Sequence, residues 1–127
     1  MIEDLTRRDF HDAEIDRIIF HRDSLIMEYR LIDGEILIAC FNRVALHVFI
    51  TNNTQNVINK INCVEYSQDK LNHILLQFGI KQQEILYPSI DPSSDSSYFI
   101  IYSDAISGGD FIVMCESVTV KSTQAAA

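Results

Sequence analysis

From Glu14 onward the apolar residues of this chain recur at every second position, and turn dipeptides punctuate the recurrence. That pattern restricts the chain to antiparallel β structure. Ile15, Arg17, Ile19 and His21 alternate with Asp16, Ile18, Phe20 and Arg22, and Asp23-Ser24 reads as the turn that follows. Leu25, Met27, Tyr29 and Leu31 then share one face while Ile26, Glu28 and Arg30 take the other. Asp33-Gly34 comes next, a dipeptide suited to the positive φ angles of a tight hairpin. Residues 35–41 are nearly continuously apolar, which predicts a strand covered on both faces near the middle of a sheet. Residues 44–51 repeat the theme and end in the polar run Asn52-Asn53-Thr54-Gln55-Asn56, so four strands are expected to form a meander.

The rest of the chain is read in the same way. Residues 57–66 predict a strand with an irregular start. In 69–78 the period changes: Leu71, Ile74, Leu75 and Phe78 fall on one helical face, with Ser67 or Asp69 able to cap the start and Gly79 able to end it. Ile85-Leu86-Tyr87 is a short strand stopped by Pro88, and residues 91–97 are a solvated loop by composition. Two terminal strands, 98–103 and 111–120, are joined by a loop at 104–110. Residues 1–12 are polar and read as an extended arm or one helical turn. The predicted fold is α+β and mostly β: an antiparallel meander sheet of about six to seven strands with one short amphipathic helix packed on it. Residues 1–124 read as a single domain, and Ala125-Ala126-Ala127 as an expression-derived tail.

With 127 residues and 47% hydrophobic content, one core suffices without staples. Cys40, Cys63 and Cys115 form an odd set with no CxxC pair and read as buried free thiols of a reducing compartment. No leader pattern and no apolar run of ~20 residues is present, so the expectation is a cytoplasmic protein that does not enter a membrane. The formal net charge of -8 opposes direct contact with phosphate backbones, which needs clustered Lys and Arg.

No constellation in the sequence specifies catalysis. His11-Asp12 stands beside Glu14 and Asp16, but neighbouring strand residues point to opposite faces, whereas metal and general-base sites need convergent side chains. His21, His47 and His73 lack metal-motif spacing, and Ile106-Ser107-Gly108-Gly109 lacks the first glycine of a nucleophile elbow. With four glycines in the chain and no phosphate-cradling motif, no catalytic residue, metal or cofactor is expected.

What remains is charge. Between Lys81 and Lys121 there is no basic residue, while Glu84, Asp91, Asp95, Asp104, Asp110 and Glu116 stand among Tyr87, Tyr98, Phe99, Tyr102 and Phe111. Tyrosines supply contact area and acids steer a basic partner. The expected partner-binding residues are therefore Asp91, Asp95, Tyr98, Tyr102, Asp104, Asp110 and Glu116. Alternative readings are a β-rich protein holding a small apolar ligand, with Tyr29, Phe41, Phe49 and Phe78 as its lining, and a phage-encoded acidic inhibitor that mimics nucleic acid. Arg7, Arg8, Arg17 and Arg22 count against a wholly anionic mimic.

Phe10-His11-Asp12-Ala13-Glu14-Ile15 opening a strand, the meander behind it, and the late strand Cys115-Glu116-Ser117-Val118-Thr119-Val120 together resemble small bacterial immunity proteins of polymorphic and contact-dependent toxin systems. The resemblance implies a cytoplasmic, non-enzymatic, acidic protein that neutralises one cognate toxin by covering its active site or an essential surface. It carries over no contact residues. The acid excess fits a basic, nuclease-type toxin, which must itself hold nucleic acid.

Overall fold

The computed structural model describes residues 5–6, 10, 13–51, 57–58, 60–78, 97–103 and 109–124; of residues 50, 51, 57, 58, 109, 110 and 124 the backbone alone is described. Nine strands and one helix of eight or more residues appear among them: β1 (Ala13–His21), β2 (Ser24–Arg30), β3 (Glu35–Asn42), β4 (Leu46–Thr51), β5 (Val57–Ile58), β6 (Ile61–Glu65), α1 (Gln68–Gln77), β7 (Phe99–Ser103), β8 (Gly109–Cys115) and β9 (Ser117–Gln124). The mostly β, antiparallel character with one helix is as the alternation predicts. The strands, however, divide between two sheets, ordered β5-β1-β2-β3-β9 and β4-β8-β7-β6.

The two sheets face each other across one core. Leu25, Met27, Tyr29, Leu37, Ala39 and Phe41 line the five-stranded side, and Ile61, Ile101, Phe111, Val113 and Cys115 the four-stranded side. Leu5 and Phe10, both fully buried ahead of β1, join this cluster, and Phe10 meets the Tyr29 ring edge-on at 5.3 Å. A second cluster covers the opposite face of the four-stranded sheet, where Leu71, Ile74 and Leu75 of α1 pack on Ala45, Leu46, Tyr98, Ile100, Ile112 and Met114. The molecule therefore has three layers, and β7 and β8 are the strands covered on both faces. β3, expected to be so covered, buries only Leu37, Ala39 and Phe41; its other face, with Ile36, Ile38 and Cys40, is half-buried.

Two chain corners join the sheets. β3 pairs with β9 and its continuation β4 pairs with β8, so an antiparallel two-stranded ribbon bends from one sheet into the other. At the bend the Glu116 amide donates to the Asn42 carbonyl at 3.1 Å, and the Ala45 amide to the Met114 carbonyl at 2.7 Å. Arg43 stands there at φ 53, and its guanidinium meets the Glu116 carboxylate at 2.9 Å. Residues 111–120, expected to form one strand, are thus two strands in different sheets. The second corner lies between β5, which pairs with β1, and β6, which pairs with β7, and it splits the predicted 57–66 strand.

Local chemistry sets the turns. Gly34, at φ 90, closes the β2–β3 hairpin; its amide donates to the Leu31 carbonyl, and Asp33 Oδ1 accepts from the Glu35 amide at 2.9 Å. The β1–β2 turn comes one residue earlier than Asp23-Ser24: His21 pairs with Ser24, and Arg22 takes the left-handed conformation at φ 58. α1 begins where Ser67, in extended conformation, accepts from the Lys70 amide at 3.1 Å, which is the predicted cap. The predicted strand at 85–87 lies outside the described residues, as does Gly79.

Candidate functional site

The acidic segment is anchored on the β7–β8 hairpin at the middle of the four-stranded sheet. Phe99 pairs with Cys115, and the ladder continues to Tyr102 opposite Ile112. At the root of the hairpin the Phe111 amide donates to Ser103 Oγ at 2.8 Å, and both residues are buried. The chain therefore leaves and re-enters the core at fixed points. Asp104 directly follows Ser103 and Asp110 directly precedes Phe111. Asp91, Asp95 and Asp104 lie outside the described residues, and the side chain of Asp110 is likewise outside them.

The remaining three expected contact residues are placed, and they do not form one surface with the hairpin root. Glu116 lies six residues from Asp110 along β8, about 20 Å away at strand rise, and its carboxylate is held by Arg43 in the corner. Tyr98 corrects the expectation of an exposed aromatic anchor. It is 4% exposed, packs under α1, and its hydroxyl is buried with no hydrogen-bond partner among the described residues. The cause is that the face shared by Tyr98, Ile100 and Tyr102 is the one that receives the helix. Tyr102 is half-buried at the margin of that contact.

Tyr102 does line a recess that the sequence did not single out. Val64, Ile74 and Tyr102 form an apolar floor between α1 and the four-stranded sheet, with Asp69, Lys70 and His73 around it, enclosing about 290 Å³. Gln77 and His73 sit 3.2 Å apart through their Nε2 atoms. A second depression of about 250 Å³ is lined by Glu65, Tyr66, Ser97, Tyr98 and Phe99. The Tyr66 hydroxyl donates to Gln68 Oε1 at 2.9 Å. Asp69, Lys70, His73 and Ile74 of this site are neighbours on α1, but strand pairing is needed to bring Tyr102 beside them.

The expected apolar lining set does not converge. Tyr29 and Phe41 are fully buried in the core between the sheets, Phe49 packs against that core, and Phe78 belongs to the cluster under the helix. His11 and Asp12 lie outside the described residues. Glu14 and Asp16 are both taken up by Arg30, whose guanidinium donates a direct hydrogen bond to the Glu14 carboxylate and lies 3.7 Å from that of Asp16. Among the described residues no group of three or more His, Cys, Asp or Glu side chains is placed to hold a metal ion.

His47 is exposed on β4, yet its ring lies 4.4 Å from that of Phe20, and desolvation holds it below the ordinary imidazole range. The three cysteines are free; Cys115 is buried, while Cys40 and Cys63 are half-buried rather than sealed. Among the described residues no helix is long and apolar enough to cross a membrane.

Charge is distributed unevenly between the framework and the segments around it. The described residues carry ten acids against seven bases, which is -3 of the net -8; the other -5 resides outside them, in 1–12 and 79–108. No family model, no curated protein and no solved structure matches this chain.

Proposed function

We propose that this chain is a non-enzymatic immunity or inhibitor protein of the bacterial cytoplasm that binds a cognate basic toxin of the nuclease type and covers its active or substrate-binding surface. The observation that carries the reading is the excess of acid in the segment that enters and leaves the buried β7–β8 hairpin root. Asp104 and Asp110 adjoin residues fixed by the Phe111–Ser103 hydrogen bond. A negative segment there steers a cationic partner. The likeness of residues 10–15 and 115–120 to immunity proteins supports the same reading.

The test is co-expression with the toxin encoded beside this gene, followed by association kinetics. The wild-type chain is expected to protect the cell. Reversing charge in Asp104→Lys/Asp110→Lys is expected to slow association about tenfold and flatten its salt dependence. Loss of protection by the wild type would remove the reading, whereas unchanged kinetics in the variant would move the interface away from the hairpin.

One observation favours a second reading, a small-ligand binding protein: the apolar recess over Val64, Ile74 and Tyr102. A ligand at a hundredfold excess over its dissociation constant stabilises the fold by about 2.7 kcal/mol. Thermal shifts against a panel of apolar metabolites and lipids should then show at least one stabilising compound whose effect disappears in Tyr102→Ala. A flat panel rejects this reading.

A further inference from the structure

Resting on the small-ligand reading, we infer that the recess between α1 and the four-stranded sheet takes a free α-amino acid with an apolar side chain, its ammonium group set against Asp69 and its carboxylate against Lys70. Asn62 pairs with Tyr102 and Val64 with Ile100, so Val64 and Tyr102 are diagonal neighbours on the sheet face that receives the helix. Ile74 of α1 completes this apolar floor. The helix that supplies the rim is fixed at its start by the Ser67 cap on the Lys70 amide, at 3.1 Å, and along its length by buried Leu71, Ile74 and Leu75. Asp69 and Lys70 therefore project from a rigid element whose position over the floor is set by packing.

Size narrows the ligand. The enclosed volume of about 290 Å³ stands at the foot of the range of about 300–1,000 Å³ typical of small-molecule sites. It accommodates one branched or aromatic side chain with the few atoms of an α-amino acid behind it, and is too small for a nucleotide or a lipid chain.

The rim selects the ligand's charge. Asp69 and Lys70 are adjacent in sequence, and both line the recess. An apolar anion gains Lys70 but meets Asp69 as a like charge, and an apolar cation gains Asp69 but meets Lys70. An uncharged molecule gains neither. A zwitterion with both charges on one carbon satisfies the two together, and being neutral it is not repelled by the acidic chain as a whole. His73 stands about one turn beyond Lys70 with its Nε2 engaged by Gln77 at 3.2 Å, which leaves the discrimination to Asp69 and Lys70. Both of those side chains are exposed, so each contributes modestly to affinity. Val64, Ile74 and Tyr102 supply the binding surface, and the two charges decide what it accepts.

NMR titration of the full 14.5 kDa chain with L-leucine, L-isoleucine, L-methionine, L-phenylalanine and L-tryptophan should give saturable shifts for at least one of them, with a dissociation constant on the order of 0.1–1 mM. The deaminated and decarboxylated analogues of that amino acid, which for phenylalanine are phenylpropionate and phenethylamine, should each bind about fivefold more weakly. Lys70→Ala should weaken the amino acid about fivefold and erase the penalty on the decarboxylated analogue, and Asp69→Asn should do the same for the deaminated one. Thermal unfolding checks that both exposed substitutions leave the fold intact. An amino acid that binds no tighter than either analogue overturns the inference, as does discrimination that survives both substitutions. In either case an apolar compound that still stabilises the wild type leaves the small-ligand reading standing. Absence of shifts with every amino acid overturns the inference, and together with a flat metabolite and lipid panel it rejects that reading as well.

Discussion

Replacing Tyr29 by alanine is expected to cost about 3–5 kcal/mol of folding stability, a fall in Tm on the order of 10–20 °C, whereas Tyr29→Phe should stay within about 1 kcal/mol of wild type. Tyr29 stands on β2, the central strand of the five-stranded sheet, and is fully buried. Its ring meets Phe10 edge-on at 5.3 Å and Phe111 at 6.4 Å, so it ties the segment ahead of β1 to both sheets. The hydroxyl donates only to Met27 Sδ, at 3.3 Å. Sulfur is a weak acceptor, so removing the hydroxyl gives up little, while removing the ring leaves a cavity that three rigid elements cannot collapse to fill. Urea denaturation of the two variants separates the contributions. Equal losses in both would mean that the hydroxyl, not the ring, holds this core together.

The second large effect is alkaline. Burial pushes the Cys115 thiol up to about 12 from the ordinary 9.0, with the nearby Cys63 acting in the same direction. Between those limits the unfolded chain has released the proton and the folded chain still holds it. Unfolding therefore releases a proton and becomes easier as pH rises. The stability associated with the neutral thiol is fully present below pH 9 and is lost progressively toward pH 12, at most about 4 kcal/mol over that interval. Tyr29, raised well above 10.0 by burial, adds a loss of the same sign above pH 10. Unfolding midpoints measured under reductant at pH 8, 9, 10 and 11 should fall steadily for the wild type and more gently for Cys115→Ala, with the difference in slope clearest between pH 9 and 10, before tyrosine contributes. Parallel curves for the two proteins would show that the thiol ionises in the folded state much as it does in the unfolded one.

The features legible in the sequence were those decided within a few residues. Asp33-Gly34 specified its hairpin because a positive φ at Gly34 and an Asp33 side-chain acceptor are local requirements. Ser67 with Leu71, Ile74 and Leu75 specified the helix and the face it buries. Features that depend on partners far along the chain were obscured. Phe111, Val113 and Cys115 point into the core at odd positions and Val118 and Val120 at even ones, a phase slip at Glu116 that marks the corner. The slip was hidden because Ile112 and Met114 are apolar as well, facing the helix on the other side of the sheet. The same covering explains Tyr98: alternation placed it on a face with Ile100 and Tyr102, and only the packing of α1 shows that this face is closed. Glu116, expected as a partner contact, is instead paired with Arg43, a residue distant in sequence.

By itself, then, the sequence determined that the chain is mostly antiparallel β with one amphipathic helix, that a hairpin turns at Asp33-Gly34, and that acid is concentrated in a span without lysine or arginine. Tertiary structure alone decided that the strands separate into two facing sheets and that Tyr98 lies beneath the helix. Side-chain alternation records which residues share a face but carries no label for the sheet to which that face belongs. A chain that bends through a corner at Arg43 or Glu116 resumes the two-residue period on the far side, so the pattern alone does not say which sheet it has entered. Which surfaces are then covered depends on packing between residues far apart in the chain.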